Sequence, residues 1–250
     1  MSLFRSLRVR LSQGTQYIAD VRTAKPQGFR GLPVLAETAC GACRACVEVC
    51  PTQALATAPL ELDLGRCVFC AACEEACPEN TIRFSPEPKL GAARREELLL
   101  TAGTSEPLRV KASEAFAKFF GRSLRLRQVS AGGCNACELE LNAVVNVNFD
   151  AQRFGIEWVA SPRHADALVV TGPLTRAMQD AIRMAWDAMP EPRFLVAVGA
   201  CAISGGLYRE ASQTDRTFLD SVGPSLFVPG CPPHPLTFLN ALLDFLGVEA

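Results

Sequence analysis

The chain has 250 residues, of which 25 are basic, 26 are acidic and 12 are cysteines. This length suffices for two domains with separate cores, and the balanced charge gives no indication of a nucleic-acid-binding surface. Secreted disulfide-rich chains are shorter and carry a signal peptide, whereas arginines interrupt the apolar start "MSLFRSLRVRLSQ". No later run reaches the roughly 18 apolar residues of a membrane-spanning helix. We therefore expect a reducing compartment, in which clustered cysteines bind metal.

The first predicted element is a helix at the start of a basic arm, residues 1–30. Apolar residues recur at every fourth position and arginines occupy the opposite face: Leu3, Leu7 and Leu11 against Arg5, Arg8 and Arg10. A basic amphipathic helix can lie on a membrane surface or dock on a partner protein. Both alternatives stay open.

Eight cysteines form an internal repeat within residues 31–88. The first block is followed by Pro51 and the second by Pro78, and the two blocks have the same spacing: Cys40, Cys43, Cys46 and Cys50, then Cys67, Cys70, Cys73 and Cys77. Duplicated units of this size predict two half-domains packed about a pseudo-twofold axis.

This spacing is that of the bacterial ferredoxins, in which three thiolates of a run bind one cluster and the fourth binds the other cluster. It predicts an α+β two-cluster ferredoxin fold with crossed ligand sets. One 4Fe-4S cluster would be bound by Cys40, Cys43, Cys46 and Cys77, and the second by Cys67, Cys70, Cys73 and Cys50. Paired zinc sites are the alternative, but they would leave two cysteines of each block without a role.

Residues 89–123 form a predicted connector between the two halves of the chain. Two prolines lead into the charged segment "KLGAARREELLLTAGTSEPLRVKASEAFAKFFGRS", which favours one or two amphipathic helices.

Strands alternate with helices in residues 124–250. The runs "SLRLRQVS", "GIEWVA", "DALVVTG", "RFLVAVG" and "SLFVPG" are short, aliphatic and end in turn residues. Helices are predicted over residues 135–147, 174–188 and 235–246. This alternation favours an α/β fold with an open parallel sheet of the flavodoxin-like type.

The remaining four cysteines each follow a predicted strand, and loops at the carboxyl ends of parallel strands converge. We therefore predict that a third 4Fe-4S cluster is bound by Cys134, Cys137, Cys201 and Cys231. Glycines beside them, such as Gly133 and Gly199, permit close approach of the backbone to a bulky ligand. Nearby, Glu138 and Glu140 suit the start of a helix, and His234 is assigned a packing role.

Residues 124–250 resemble the small subunit of the group 4, membrane-associated nickel-iron hydrogenases, which is homologous to the 20 kDa subunit of complex I. The matching stretches are "GGCNACELE", "SPRHADALVVTGPLT", "VAVGACAISGGLY" and "VPGCPPHP". The N-terminal third resembles the two-cluster ferredoxin subunit of the same assemblies, with "QGFRGLP" as a further match. The two subunits are fused here, which departs from the usual pattern.

The resemblance implies an electron-transfer subunit without catalytic residues of its own, in a hydrogenase-4 or formate hydrogenlyase type of complex. Its partners would be a nickel-iron catalytic large subunit, membrane-arm subunits, and a formate dehydrogenase or ferredoxin as electron donor or acceptor. The chain would then lie in the cytoplasm, peripherally on the inner face of the cell membrane.

Two alternatives remain for the function. In a complex I-like quinone oxidoreductase the large subunit lacks nickel, although the spacing of Cys134 and Cys137 differs from the adjacent cysteines of that branch. A stand-alone ferredoxin-like carrier would not need residues 124–250. A glycine-rich dinucleotide motif and a P-loop are both absent from the sequence, so we do not expect NAD or ATP to bind.

Overall fold

The computed structural model describes residues 3–14, 17–37, 43–104, 106–108, 110, 114–120 and 123–248. Cys40, one of the predicted ligands, lies outside them. The predicted amphipathic helix is present as α1 (Leu3–Gln13), and all of its residues are exposed. Among the described residues, no helix is long and apolar enough to cross a bilayer.

The rest of the arm is anchored to the far end of the chain. Val21 is fully buried, and its carbonyl accepts a hydrogen bond of 2.9 Å from the side-chain amide of Asn240. Arg22 donates to Asn240 Oδ1 at 2.8 Å and forms an ion pair with Asp244. Residues 21 and 22 therefore fix the base of the arm, whereas α1 beyond it touches little of the protein.

The cysteine repeat folds as a duplicated β–α–β unit. The first copy contains β1 (Pro33–Leu35), α2 (Ala45–Glu48) and β2 (Leu55–Thr57). The second contains β3 (Leu60–Asp63), α3 (Ala72–Ala76) and β4 (Ile82–Phe84). β1 pairs with β4 and β2 with β3, both antiparallel, so that the two copies are related as the repeat predicts. The third cysteine of each block, Cys46 or Cys73, is buried at the second residue of its helix.

The connector contains one of the predicted helices, α4 (Glu114–Phe120). The first part of the connector is not an amphipathic α-helix. A 3-10 turn at Arg95–Leu98 leads into β5 (Leu99–Thr101), which pairs antiparallel with β3. Leu98 and Leu100 are buried while Leu99 between them is 46% exposed. Burial thus alternates with the two-residue period of a strand. The sequence does not show this alternation, because all three residues are leucines.

The C-terminal half contains a five-stranded parallel sheet in the order β7-β6-β8-β9-β10. Its strands are β6 (Leu124–Ser130), β7 (Ile156–Trp158), β8 (Ala167–Thr171), β9 (Phe194–Val198) and β10 (Leu226–Val228). All five predicted strands are present. The predicted helices appear as α5 (Ala136–Ala143), α6 (Gln179–Asp187) and α9 (Pro235–Phe245), and the sequence did not indicate the short α7 (Gly199–Ser204) and α8 (Thr217–Val222).

Both faces of this sheet are covered, which explains the uninterrupted apolar sequences of β8 and β9. Val169 and Val196 point into a core shared with α9, whereas Val170 and Leu195 point into the opposite core. That second core continues without a break into the leucines of the cysteine-repeat domain.

Backbone contacts also join the two halves. Ala92 and Phe227 exchange hydrogen bonds of 3.0 and 2.8 Å, which add a short antiparallel bridge to the edge strand β10. A Cβ placed on Gly91 would lie 2.5 Å from the Cβ of Ala241 in α9. The start of the connector is therefore held against the edge strand of the parallel sheet and against α9.

Candidate iron-sulfur cluster sites

Three of the four cysteines predicted for the first cluster line one cleft. These are Cys43 and Cys46 from the first block and Cys77 from the second, with Pro78 and Glu79 beside them. Burial acts to raise the pKa of Cys77, but hydrogen bonds from the side chain and backbone of Thr81 outweigh it, and the pKa is lowered. The Thr81 oxygen lies 3.1 Å from the Cys77 sulfur. The fourth predicted ligand, Cys40, lies outside the described residues.

The four cysteines predicted for the second cluster line another cleft together: Cys50, Cys67, Cys70 and Cys73. Burial raises the pKa of Cys67 to about 12 and that of Cys73 to about 11, and the neighbouring thiols of the group add to both shifts. Such a thiol loses its proton when a cation takes the proton's place. Cys50 thus reaches across from the first block to the second, as the crossed ligand set requires.

In both copies of the repeat, a residue with positive φ turns the following backbone amide towards a cysteine sulfur. Gln53 and Asn80, each three residues after the last cysteine of a block, have φ values of 53° and 51°. The following amides then donate to the cysteine sulfurs, from Ala54 to Cys50 at 3.2 Å and from Thr81 to Cys77 at 3.4 Å. Hydrogen bonds of this kind stabilise a thiolate and adjust the potential of a bound cluster.

The four cysteines predicted for the third cluster converge at the carboxyl edge of the parallel sheet. They follow three different strands: Cys134 and Cys137 after β6, Cys201 after β9 and Cys231 after β10. Burial raises the pKa of Cys137 to about 12, and Glu138 and the other three cysteines of the group act in the same direction. The pKa of Cys201 is raised to about 11, and that of Cys231 is also raised, in both cases mainly by burial.

Two glycines let the backbone pass close to these sulfurs. A Cβ on Gly199 would lie 2.7 Å from the sulfur of Cys137, and one on Gly206 would lie 3.1 Å from that of Cys201. Both glycines have positive φ, 87° and 53°, which other residues rarely adopt. Gly206 is a residue that sequence reasoning missed, although the "GG" pair after α7 was a signal for it.

Glu138 of α5 bonds to residues at the ends of two neighbouring strands. The residue is 8% exposed, and its carboxylate accepts a hydrogen bond of 2.6 Å from Thr171 at the end of β8. Burial acts to raise the pKa of Glu138, but hydrogen bonds from Ser130 and Thr171 outweigh it, and the pKa is lowered. The carboxylate therefore joins the ends of β6 and β8 below the Cys134–Cys137 loop.

His234 packs against neighbouring rings, in keeping with its expected packing role, and it also caps a helix, which sequence reasoning did not identify. Its Nδ1 accepts a hydrogen bond of 3.1 Å from the Leu236 amide and so caps the N-terminus of α9. The ring contacts Phe29 and Phe149 with centroid distances of 5.0 and 5.7 Å. Burial lowers the pKa of His234, which favours the neutral ring that a cap acceptor requires.

These cysteine groups suit iron-sulfur clusters by their chemistry. Each provides several buried or half-buried thiols with glycine or alanine backbone beside them, and in the first two groups amides donate to sulfur. Among the described residues, no group of three or more potential ligands is arranged around a single metal ion. In a 4Fe-4S cluster each thiolate binds a different iron, so that the ligands need not meet at one point.

Comparisons with known proteins divide the chain in the same way as its fold. The family described as "NADH ubiquinone oxidoreductase, 20 Kd subunit" matches residues 134–245, and the "4Fe-4S binding domain" matches residues 33–56 and 60–83. The fold and these matches define an iron-sulfur protein of the oxidoreductase class.

Three relatives illustrate the similarity. The chain is 40% identical to the probable membrane-bound hydrogenase subunit mbhJ of Pyrococcus furiosus, over 50% of this chain and 75% of the relative. It is 41% identical to formate hydrogenlyase subunit 7 of Escherichia coli, over 51% of this chain and 50% of the relative. It is 44% identical to an NADH-quinone oxidoreductase subunit of Desulfovibrio desulfuricans, over 45% of this chain and 58% of the relative.

The chain belongs to the family of the complex I 20 kDa subunit and nickel-iron hydrogenase small subunit, with 4Fe-4S binding domains ahead of that region. The expected resemblance is thereby confirmed. The chain spans three quarters of the Pyrococcus relative but only about half of the other two.

Proposed function

We propose that this chain transfers electrons through three 4Fe-4S clusters to or from the catalytic large subunit of a group 4 nickel-iron hydrogenase, of the hydrogenase-4 or formate hydrogenlyase type. The observation that carries the proposal is the convergence of four cysteines from three separate loops at one edge of the parallel sheet. The matches to a hydrogenase subunit and a formate hydrogenlyase subunit support it.

The ligand sets are those that the sequence predicts. The first cluster is held by Cys40, Cys43, Cys46 and Cys77, the second by Cys50, Cys67, Cys70 and Cys73, and the third by Cys134, Cys137, Cys201 and Cys231. Each bound cluster supplies one-electron transfer. The protein's contribution is to exclude water from the sulfurs by burial and to direct amides at them, as Ala54 does at Cys50.

We also propose finer fold assignments and the domain division given above. The duplicated β–α–β unit with its crossed pairing supports a two-cluster ferredoxin fold for residues 31–88. The order β7-β6-β8-β9-β10 corresponds to 2-1-3-4-5 in chain order, which supports a flavodoxin-like fold for residues 124–250.

The surface beside the third cysteine group is the proposed contact with the large subunit. Cys134 and Cys231 are exposed there, and large apolar side chains are exposed in the segments that carry the cysteines: Leu139, Leu207 and Tyr208. Contiguous apolar patches mark interaction sites, and these three side chains are the proposed apolar part of this contact. The two-cluster domain would face the electron donor or acceptor, such as a formate dehydrogenase or ferredoxin, and the arm would approach the membrane-arm subunits or the inner membrane surface.

A second candidate function is membership of a complex I-like quinone oxidoreductase, which the 44% identity to the Desulfovibrio NADH-quinone oxidoreductase subunit favours. In that case the partner large subunit lacks nickel. The stand-alone carrier has no comparable support, because the matched region of residues 134–245 is an assembly subunit in these relatives.

The test is a metal and sulfide analysis of the complex purified through this chain, with iron, nickel and zinc measured together. About twelve irons for this chain are expected for three 4Fe-4S clusters. Nickel in the complex supports the hydrogenase proposal, and iron without nickel supports the quinone-linked alternative. Zinc in place of iron, or a chain that purifies alone, contradicts the proposal. Cys201→Ala should remove about four irons, whereas Ser204→Ala in the same helix should remove none.

A further inference from the structure

A cleft lies between the second and the third cysteine group. Its volume is about 250 Å³, and its lining includes Val68 and Phe69 of the segment between Cys67 and Cys70, together with Cys231 of the third group. Phe69, between Cys67 and Cys70, forms part of one wall, and the loop that contains Cys231 forms part of another. The cleft therefore adjoins the backbone of the second group on one side and a predicted ligand of the third group on the other.

The cleft contains one polar side chain whose hydrogen bonding is incomplete. Thr237 of α9 is fully buried and lines the cleft, and within the described part of the chain its Oγ1 has no protein partner. The Thr237 amide is used for the helix start, where it donates to the His234 carbonyl at 2.8 Å. Since nearly all buried hydroxyl groups are hydrogen-bonded, this one lacks the partner that such groups usually have, and the cleft that Thr237 lines is the adjoining space.

Water is the ligand that fits these surroundings. Polar cavities of sufficient size hold water molecules with two to four polar partners each, and about 30 Å³ of liquid volume corresponds to one molecule. Besides Thr237, the walls include Arg30, whose side chain donates to the Cys70 carbonyl at 3.4 Å, and Cys231. His234 is not available for this purpose through Nδ1, which the Leu236 amide occupies.

We propose that Thr237 Oγ1 binds an ordered water molecule in this cleft, and that this water donates a hydrogen bond to the sulfur of Cys231 and raises the potential of the third cluster. The inference rests on the proposed function. A hydrogen bond to a ligand sulfur stabilises the added negative charge of the reduced cluster, so that its removal makes the cluster harder to reduce.

The test compares Thr237→Val, which removes the hydroxyl at nearly constant volume, with Thr237→Ser, which keeps it. Midpoint potentials of the three clusters are measured by redox titration with electron paramagnetic resonance in the purified complex. Thr237→Val should shift the third potential to a more negative value, and Thr237→Ser should not. The first cluster, whose cysteines do not line the cleft, serves as an internal reference.

A high-resolution structure of the unaltered complex provides the second readout and does not depend on the variants folding. A water oxygen within about 3 Å of Thr237 Oγ1 and in contact with Cys231 supports the inference. A Thr237 hydroxyl that bonds only to protein, or an unchanged third potential in Thr237→Val, overturns it. Absence of the third cluster from the unaltered complex would instead refute the proposed function, while the structure still decides whether water binds at Thr237.

Discussion

Gly199 lies directly against the sulfur of Cys137, and the two residues belong to helices that follow different strands of the parallel sheet. A Cβ at position 199 would be 2.7 Å from that sulfur, and the φ of Gly199 is 87°. The loop after β9 can therefore approach the Cys134–Cys137 loop only because it has no side chain at this point. This contact closes the third cysteine group on one side.

We expect Gly199→Ala to abolish binding of the third cluster, because the new methyl group displaces the Cys137 sulfur. The measurement is iron content together with the cluster spectrum, and a loss of about four of twelve irons is expected. Gly223→Ala is the matched control, since Gly223 also has a positive φ of 75° but nothing within 4 Å of the added Cβ. Equal iron loss in both variants would show that backbone strain, not the contact with sulfur, is responsible.

The repeat provides a second pair of variants. Thr81 Oγ1 lies 3.1 Å from the sulfur of Cys77, whereas Thr52 Oγ1 is 3.8 Å from that of Cys50. Thr81→Val should lower the potential of the first cluster, because a hydrogen bond that stabilises the reduced state is lost. Thr52→Val should change the potential of the second cluster less. A redox titration of both variants measures the shifts, and an equal or larger shift in Thr52→Val would contradict this ranking.

Thr171→Val should destabilise the protein by about 1.5–3 kcal/mol, the usual contribution of a hydrogen bond to a charged group. The reason is that the buried carboxylate of Glu138 loses its 2.6 Å partner at the end of β8. For a chain of this size the unfolding temperature should fall by roughly 3–12 °C. Thermal unfolding of the cluster-loaded protein measures the change, and Thr171→Ser, which keeps the hydroxyl, should lose less.

The stability contributed by the hydrogen bond between Thr171 and Glu138 should depend on pH in a defined way. The folded pKa of Glu138 is lowered from its ordinary value of 4.5, so that its contribution is complete above that value and disappears as the pH falls through the folded pKa. The destabilisation by Thr171→Val should therefore be the same at pH 6 and pH 8. If the loss of stability caused by Thr171→Val at pH 6 were only half of that at pH 8, the carboxylate would already be partly protonated near neutrality.

Removal of α1 should leave the iron content unchanged, because none of its residues is buried. Leu3, Phe4 and Leu11 are each more than 70% exposed, and arginines lie among them. If the helix lies on the inner membrane surface, the truncated chain should bind anionic lipid vesicles more weakly than the intact chain, and salt should weaken the binding of the intact chain. Flotation with phosphatidylserine vesicles measures this. Equal binding by both forms would favour docking of α1 on a partner protein.

The cysteine groups and the strands of the parallel sheet could be predicted from the sequence, because they depend on residue patterns that are local in the chain. The spacing of the cysteine blocks predicts that Cys50 joins Cys67, Cys70 and Cys73, and the structure brings these four together. The five strands of the parallel sheet are predicted from short apolar runs that end in turn residues. Cluster binding by the twelve cysteines remains a prediction that the metal analysis tests.

Other features were decided by the tertiary structure alone, since they depend on residues far apart in the chain. β5 exists because Leu98 and Leu100 find a core beside β3, although "LLL" has no visible alternation. The contact of Gly199 with Cys137 and the role of His234 as a helix cap have no sequence pattern of their own. Spacing along the chain limits which cysteines can act together, but only packing determines which backbone passes close to each sulfur and which residues line the cleft beside the cysteine groups.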